Sequence, residues 1–169
     1  MQSKMTGVWS IMRTRAGKVF VFCWSLSALS LIGFILFGFA DRDIAGATAV
    51  GVLVSAPFID MAVLASYWAG RASHTIARAT WLVLAVSLLA STLLLLGSGK
   101  SDADLLLAYG AAILSFPLGL VVGPLTGQIS MPAGLALTTL LWILNIGAGV
   151  LQWFVLIPMC LKARARDRK

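Results

Sequence analysis

One acidic residue lies inside a long apolar run: Asp60, within residues 44–69. Placing an aspartate at the centre of a bilayer-spanning helix costs about 2.5–3.5 kcal/mol, and such residues usually face a bundle interior and mark ion or proton pathways. Pro57 precedes Asp60 by about one helical turn. A proline has no N–H, so the carbonyl of Leu53 loses its helical donor. A carboxyl beside a freed carbonyl is the chemistry of a proton or small-cation site. Ser55, Asn145 and Gln152 are polar residues in apolar runs. They are the expected companions of Asp60 if the second and fifth runs touch. The plainer reading is that Asp60 ties helices together through a hydrogen bond.

The remaining reactive groups point to little chemistry. Asp41 with Asp43, and Asp102 with Asp104, bracket two short links. Four carboxylates in neighbouring links suit a hard divalent cation. Aspartate before a helix is equally the expected cap and dipole partner, and capping is the reading adopted. His74 is the one histidine, in a polar link between Arg71 and Arg78, and is expected to be solvated. Cys23 and Cys160 fall in apolar runs without metal-ligand spacing and read as small hydrophobes. With one histidine and no glutamate, the acid–base sets of most hydrolytic enzymes lack parts. The expectation is a protein that is not an enzyme, with no cofactor and no metal.

The elements that must position Asp60 follow from composition. The chain has 169 residues, 60% of them hydrophobic and 11% charged. Soluble domains average about 45–50% apolar and roughly 25% charged, so a soluble globular fold is excluded. Apolar runs occupy residues 19–40, 44–69, 79–98, 105–125 and 133–161. Each is long enough for a crossing of about 20 residues, and lipid admits only helices or closed barrels. The expected fold is a single all-α bundle of five transmembrane helices with no soluble domain. The alternative is four spans plus a re-entrant hairpin at 105–125, bent at Pro117 and Pro124. The first run is longer than the apolar core of a signal peptide and reads as an uncleaved span.

Small residues suggest how the helices meet. Ala111, Ser115, Gly119 and Gly123 recur every four residues, and Ala47, Gly51 and Ser55 do the same in the second run. Such strips let backbones approach closely. The strip at 111–123 is the expected face for a second copy or a membrane partner. Trp142 and Trp153 read as apolar bulk. Met5, Val8, Trp9 and Met12 follow helical spacing and suggest an interfacial turn ahead of the first span. Trp24, Asp41/Asp43 and Pro57 recur as Trp81, Asp102/Asp104 and Pro117, a weak internal repeat of a hairpin.

The net charge of +7 comes from 13 Lys and Arg against 6 acids, placed around the spans. That distribution points to membrane lipid as the partner and not to nucleic acid. With five crossings, Lys4, Arg13, Arg15, Lys18, Arg71 and Arg78 share one side. Arg42, Lys100, Lys162, Arg164, Arg166, Arg168 and Lys169 share the other. Six against seven sets no orientation. With four crossings the tail joins the first group and the bias becomes strong.

Two further motifs carry a family likeness. Ser115-Phe116-Pro117-Leu118-Gly119 and Leu151-Gln152-Trp153-Phe154-Val155-Leu156-Ile157-Pro158, followed by a basic tail, resemble small uncharacterised bacterial multi-pass membrane proteins. These have a Phe-Pro motif in one span and a Gln-Trp-Phe motif in the last. The resemblance covers roughly residues 103–168 and implies a bacterial inner-membrane location. The function expected from these readings is non-enzymatic action through helix–helix contacts, as a homo-oligomer or an accessory subunit. The alternative is a small transporter or proton-coupled carrier using Asp60.

Overall fold

A computed structural model describes residues 14–99, 103–119, 121–122 and 135–166. The amphipathic turn at Met5–Met12, Gly123 and Pro124 lie outside the described residues. The chain is all-helical among the described residues. Helix α1 runs Arg15–Asp41, α2 Ile44–Ala69 and α3 Arg71–Gly97. Helix α4 is short, Ala103–Leu114, and α5 covers Leu135–Leu151. A π-helical turn, Gln152–Leu156, then leads into α6, Ile157–Arg166.

Local chemistry explains the ends. The Thr14 side chain caps α1 by accepting from the Gly17 N–H at 2.9 Å. Asp43 caps α2 in the same way, accepting from Gly46 N at 3.2 Å, which is the capping role expected of it. Gly70 joins α2 to α3 alone, at φ 114°. Only glycine adopts that backbone without strain. The link expected at 70–78 is therefore a single residue, and α3 begins at Arg71 rather than at 79. No proline interrupts 71–78, and its alanines, arginines and threonine continue a helix without difficulty.

Four helical stretches are long and apolar enough to cross a membrane: Arg15–Asp41, Ile44–Ala69, Arg71–Gly97 and Leu135–Arg164. The run at 105–125 is not one continuous helix. Helix α4 stops at Leu114, and residues 115–118 form a turn containing a cis Phe116–Pro117 bond. Its 12 residues reach only about 18 Å, against a hydrocarbon core of about 30 Å. Proline removes a helix donor and collides with the preceding turn, which accounts for the stop. Pro57 differs: α2 continues through it unbroken. The two halves of the proposed repeat therefore part at their prolines.

The bundle carries its polar groups inside. Ser27, Ser55, Ser66, Ser91, Thr92, Ser115 and Thr138 are buried, while Phe22, Leu29, Leu36, Val83, Leu94 and Ile143 are exposed. Apolar surface outward and small polar groups inward is the arrangement a bilayer requires. Helix α2 is central, half of its apolar window being buried, against 11% for α1. Of the expected ridge Ala47–Gly51–Ser55, Ala47 and Gly51 receive α1. A Cβ added to Gly51 would come 2.9 Å from Phe34 Cβ, and one on Gly38 would lie 2.6 Å from Ala47 Cβ. Gly51→Leu should therefore force α1 away and lower stability by about 1–3 kcal/mol. Thermal unfolding of the detergent-solubilised variant reads this directly. An unchanged midpoint would mean the contact carries no packing energy.

The connectivity also sets which ends meet. Tight links make α1, α2 and α3 successively antiparallel. Helix α5 runs against α3, since Trp142 Nε1 donates to the Ala85 carbonyl at 2.8 Å and Arg78 Nη2 reaches the Phe154 carbonyl at 3.4 Å. The start of α1, the α2–α3 link and α6 therefore share one end of the bundle. Arg15, Lys18, Arg71, Arg78, Lys162 and Arg164 gather there. Among the described residues, Arg42 alone of the Lys and Arg side chains sits at the other. The near-even division expected from five crossings does not hold for this arrangement, because the tail returns to the head's end.

Candidate intramembrane site around Asp60

Asp60 lies on the inner face of α2, 8% exposed. Its Oδ1 accepts a hydrogen bond from Trp81 Nε1 of α3 at 3.1 Å. Trp81 is fully buried and cannot swing away. Gly149 of α5 lies against it, and a Cβ there would stand 2.8 Å from Trp81 Cζ2. Phe154 meets the same indole edge-on, ring centroids 5.5 Å apart. Helix α5 and the π turn thus fix the one donor that faces the carboxylate among the described residues.

A cavity of about 450 Å³ opens beside Asp60. Pro57 and Met61 of α2 form one wall, Phe116 and Pro117 of the turn another, and Gln152 and Trp153 a third. The site therefore sits where two helices depart from α geometry. Each departure leaves backbone groups that lipid cannot satisfy, and side chains supply the partners. The Gln152 amide spans the proline turn. Its Nε2 donates to the Phe116 carbonyl and its Oε1 accepts from Leu118 N at 2.9 Å. Trp153 Nε1 donates to the Leu114 carbonyl at 3.1 Å.

The π turn has a matching cause. Ile157 N bonds to the Gln152 carbonyl, five residues back. The next residue is Pro158, which has no N–H to offer. The carbonyls of Trp153 and Phe154, five and four residues behind it, are therefore left seeking donors. Tyr67 Oη donates to the first and Arg78 Nη2 to the second, with the Arg78 guanidinium 4.8 Å from the Phe154 ring centroid. Single π turns of this kind recur at functional sites.

The structure brings Asp60 and Gln152 to one cavity and leaves the other two expected companions elsewhere. Ser55 is fully buried, and its hydroxyl donates to the Val52 carbonyl at 3.1 Å. Asn145 Nδ2 donates to the Leu141 carbonyl at 2.9 Å. Neither lines the cavity. In the small-residue strip, Ala111, Ser115 and Gly119 are buried within the chain, and the Ser115 hydroxyl donates back to the Ala111 carbonyl at 2.5 Å. Ser115 Cα lies against Gly149 of α5, so these three form an internal seam and not an outward face.

Other expectations are revised. His74 is not simply solvated: its ring lies tilted at 45° against Tyr67, centroids 4.5 Å apart, and Nδ1 lies 3.0 Å from Ser66 Oγ. The single Ser66 hydroxyl proton goes to the Val63 carbonyl at 2.6 Å, so His74 Nδ1 is the donor of the pair. Trp142 and Trp153 are more than bulk, because each indole N–H holds a backbone carbonyl. A buried indole N–H needs such a partner. The Asp41–Asp43 link does border the α3–α4 link, both lining one pocket. No group of three or more potential metal ligands occurs among the described residues. Trp81, Tyr67 and Arg78 were missed as site residues. The signal for the last two was Pro158, which frees acceptors by the reasoning already applied to Pro57.

The Uncharacterised membrane protein YbfB family model matches residues 75–163, just over half of the chain. The chain belongs to this family. No curated protein and no solved structure matches it. The YbfB match starts within α3 and ends within α6. It takes in Trp81, the proline turn, Gln152 and the π turn, and it leaves out α2 with Asp60. The resemblance at residues 103–168 falls almost wholly inside it. Membership, together with four helical stretches long and apolar enough to cross, makes this a multi-pass membrane protein.

Proposed function

We propose that the protein is a small inner-membrane carrier, without enzymatic activity, in which Asp60 binds a proton or a monovalent cation. One observation carries this reading: a carboxylate buried in the bundle interior lines a cavity where one helix ends at a proline turn and another passes through a π turn. Transporters commonly bind their ions at such discontinuities near the bilayer midplane. A charge in hydrocarbon is tolerated only with a partner, and for Asp60 a neutral indole N–H is the one hydrogen-bonding partner among the described residues. A proton or cation supplies the missing charge.

The reading as an oligomer or accessory subunit rested on the strip at 111–123. Its described members are covered by the chain's own helices, which favours the carrier. The test uses purified protein in lipid vesicles with a pH-sensitive dye inside. Asp60-dependent proton movement is expected, falling by a factor of about ten or more in Asp60→Asn, the loss of a buried charged partner. Asp60→Asn keeps the Trp81 hydrogen bond through its amide oxygen, so assembly should persist. Unaltered flux in a folded Asp60→Asn variant would sink the proposal. Loss of the folded protein itself would return Asp60 to a purely structural role.

A further inference from the structure

We infer that the Asp60 cavity takes a lipophilic monovalent cation, admitted sideways from the hydrocarbon. This rests on the reading of Asp60 as the binding group of a carrier, and it names the class of substrate. The argument starts from where the cavity opens. Met61 and Phe116 on its rim are 52% and 53% exposed, and Pro57 and Pro117 are exposed beside them. Among the described residues the mouth is therefore on the outer surface of the bundle, between α2 and the proline turn. Asp60 lies close to the middle of α2, so that mouth faces the acyl chains and not the water at either end.

The lining decides what fits. Pro57, Met61, Ile113, Phe116 and Pro117 form apolar walls, and Asp60 stands among them as the ionisable group. The other polar lining residue, Gln152, has its amide engaged by the backbone of the turn. A bare or hydrated inorganic ion would exchange its water for a single carboxylate, with no second free side-chain oxygen in the lining to replace the shell. An organic cation has no such requirement, because its apolar body meets the walls and its charge meets Asp60. Phe116 and Trp153 in the lining bring aromatic rings, which attract weakly hydrated cations. A volume of about 450 Å³ is in the range of small-molecule sites and large for a metal ion. One carboxylate matches one charge. If the empty site holds a proton, the arriving cation displaces it, and the exchange is electrically neutral.

The test measures binding of tetraphenylphosphonium to the full chain in nanodiscs of uncharged lipid, beside neutral triphenylphosphine oxide of similar shape. Saturable tetraphenylphosphonium binding is expected, weakened by about tenfold or more in Asp60→Asn, as for loss of a paired charge. The neutral compound should not distinguish the two proteins. Met61→Trp, which narrows the mouth and leaves the carboxylate, should also lose binding, and it serves if Asp60→Asn does not fold. Equal binding of both compounds by wild type and Asp60→Asn would assign the groove to acyl chains or another neutral group and overturn the inference. Failure of tetraphenylphosphonium to bind, with Asp60-dependent proton or potassium movement intact in vesicles, would overturn the inference and leave the carrier standing. Absence of both would remove the carrier as well.

Discussion

Gln152→Leu is expected to destabilise the protein by about 2–6 kcal/mol, because each abandoned buried polar group costs about 1–3 kcal/mol. Two are abandoned: the Phe116 carbonyl and the Leu118 N–H lose the amide that spans them. Water cannot substitute in hydrocarbon. The loss should appear as a lower unfolding midpoint in mild detergent and as faster proteolysis near the proline turn. Gln152→Glu keeps an acceptor for Leu118 and should recover part of the loss. A Gln152→Leu protein as stable as wild type would mean that the turn finds other partners, and that Gln152 is free to serve a ligand directly.

The second large effect is topological and close to all-or-none. A green fluorescent reporter fused after Lys169 is expected to fluoresce, and alkaline phosphatase at the same place to be inactive. Both results put the tail in the cytoplasm. Phosphatase inserted at Gly99, in the α3–α4 link, should be active. The reason is the gathering of Arg15, Lys18, Arg71, Arg78, Lys162 and Arg164 at one end, since Lys and Arg near span ends are retained inside. An active phosphatase at the tail would contradict this orientation. Comparable activity from both reporters at one site would indicate insertion both ways round.

This orientation shows how a single element changes a global property. Counting apolar residues treats 105–125 as equivalent to the other runs, and the balance of charge then falls nearly even. The structure ends α4 at Leu114 and brings the π turn that leads into the terminal helix back beside Arg78. The same basic residues then become strongly one-sided. Pro117 was visible as an interruption, yet Pro57 is the same residue type inside an unbroken helix. Proline alone does not decide between a continuous and a broken helix. What differs is the neighbour: Gln152 reaches the backbone on both sides of Pro117 and makes the broken form tolerable in lipid.

The sequence by itself determined the all-helical membrane fold, the apolar runs, the cap at Asp43, and Asp60 as the one acid inside an apolar run. These follow from composition, periodicity and local backbone chemistry, which act over a few neighbouring residues. Only the tertiary structure decided that Asp60 meets Trp81 and shares a cavity with Gln152, and that Ser55 and Asn145 turn to their own helices. It also decided that Ala111, Ser115 and Gly119 face inward. Every apolar helix in a bilayer has several faces that are chemically alike, so the sequence leaves its rotation open. Rotation is settled by which small residues admit a neighbour and which buried polar groups find partners across the gap, and both depend on segments far apart in the chain.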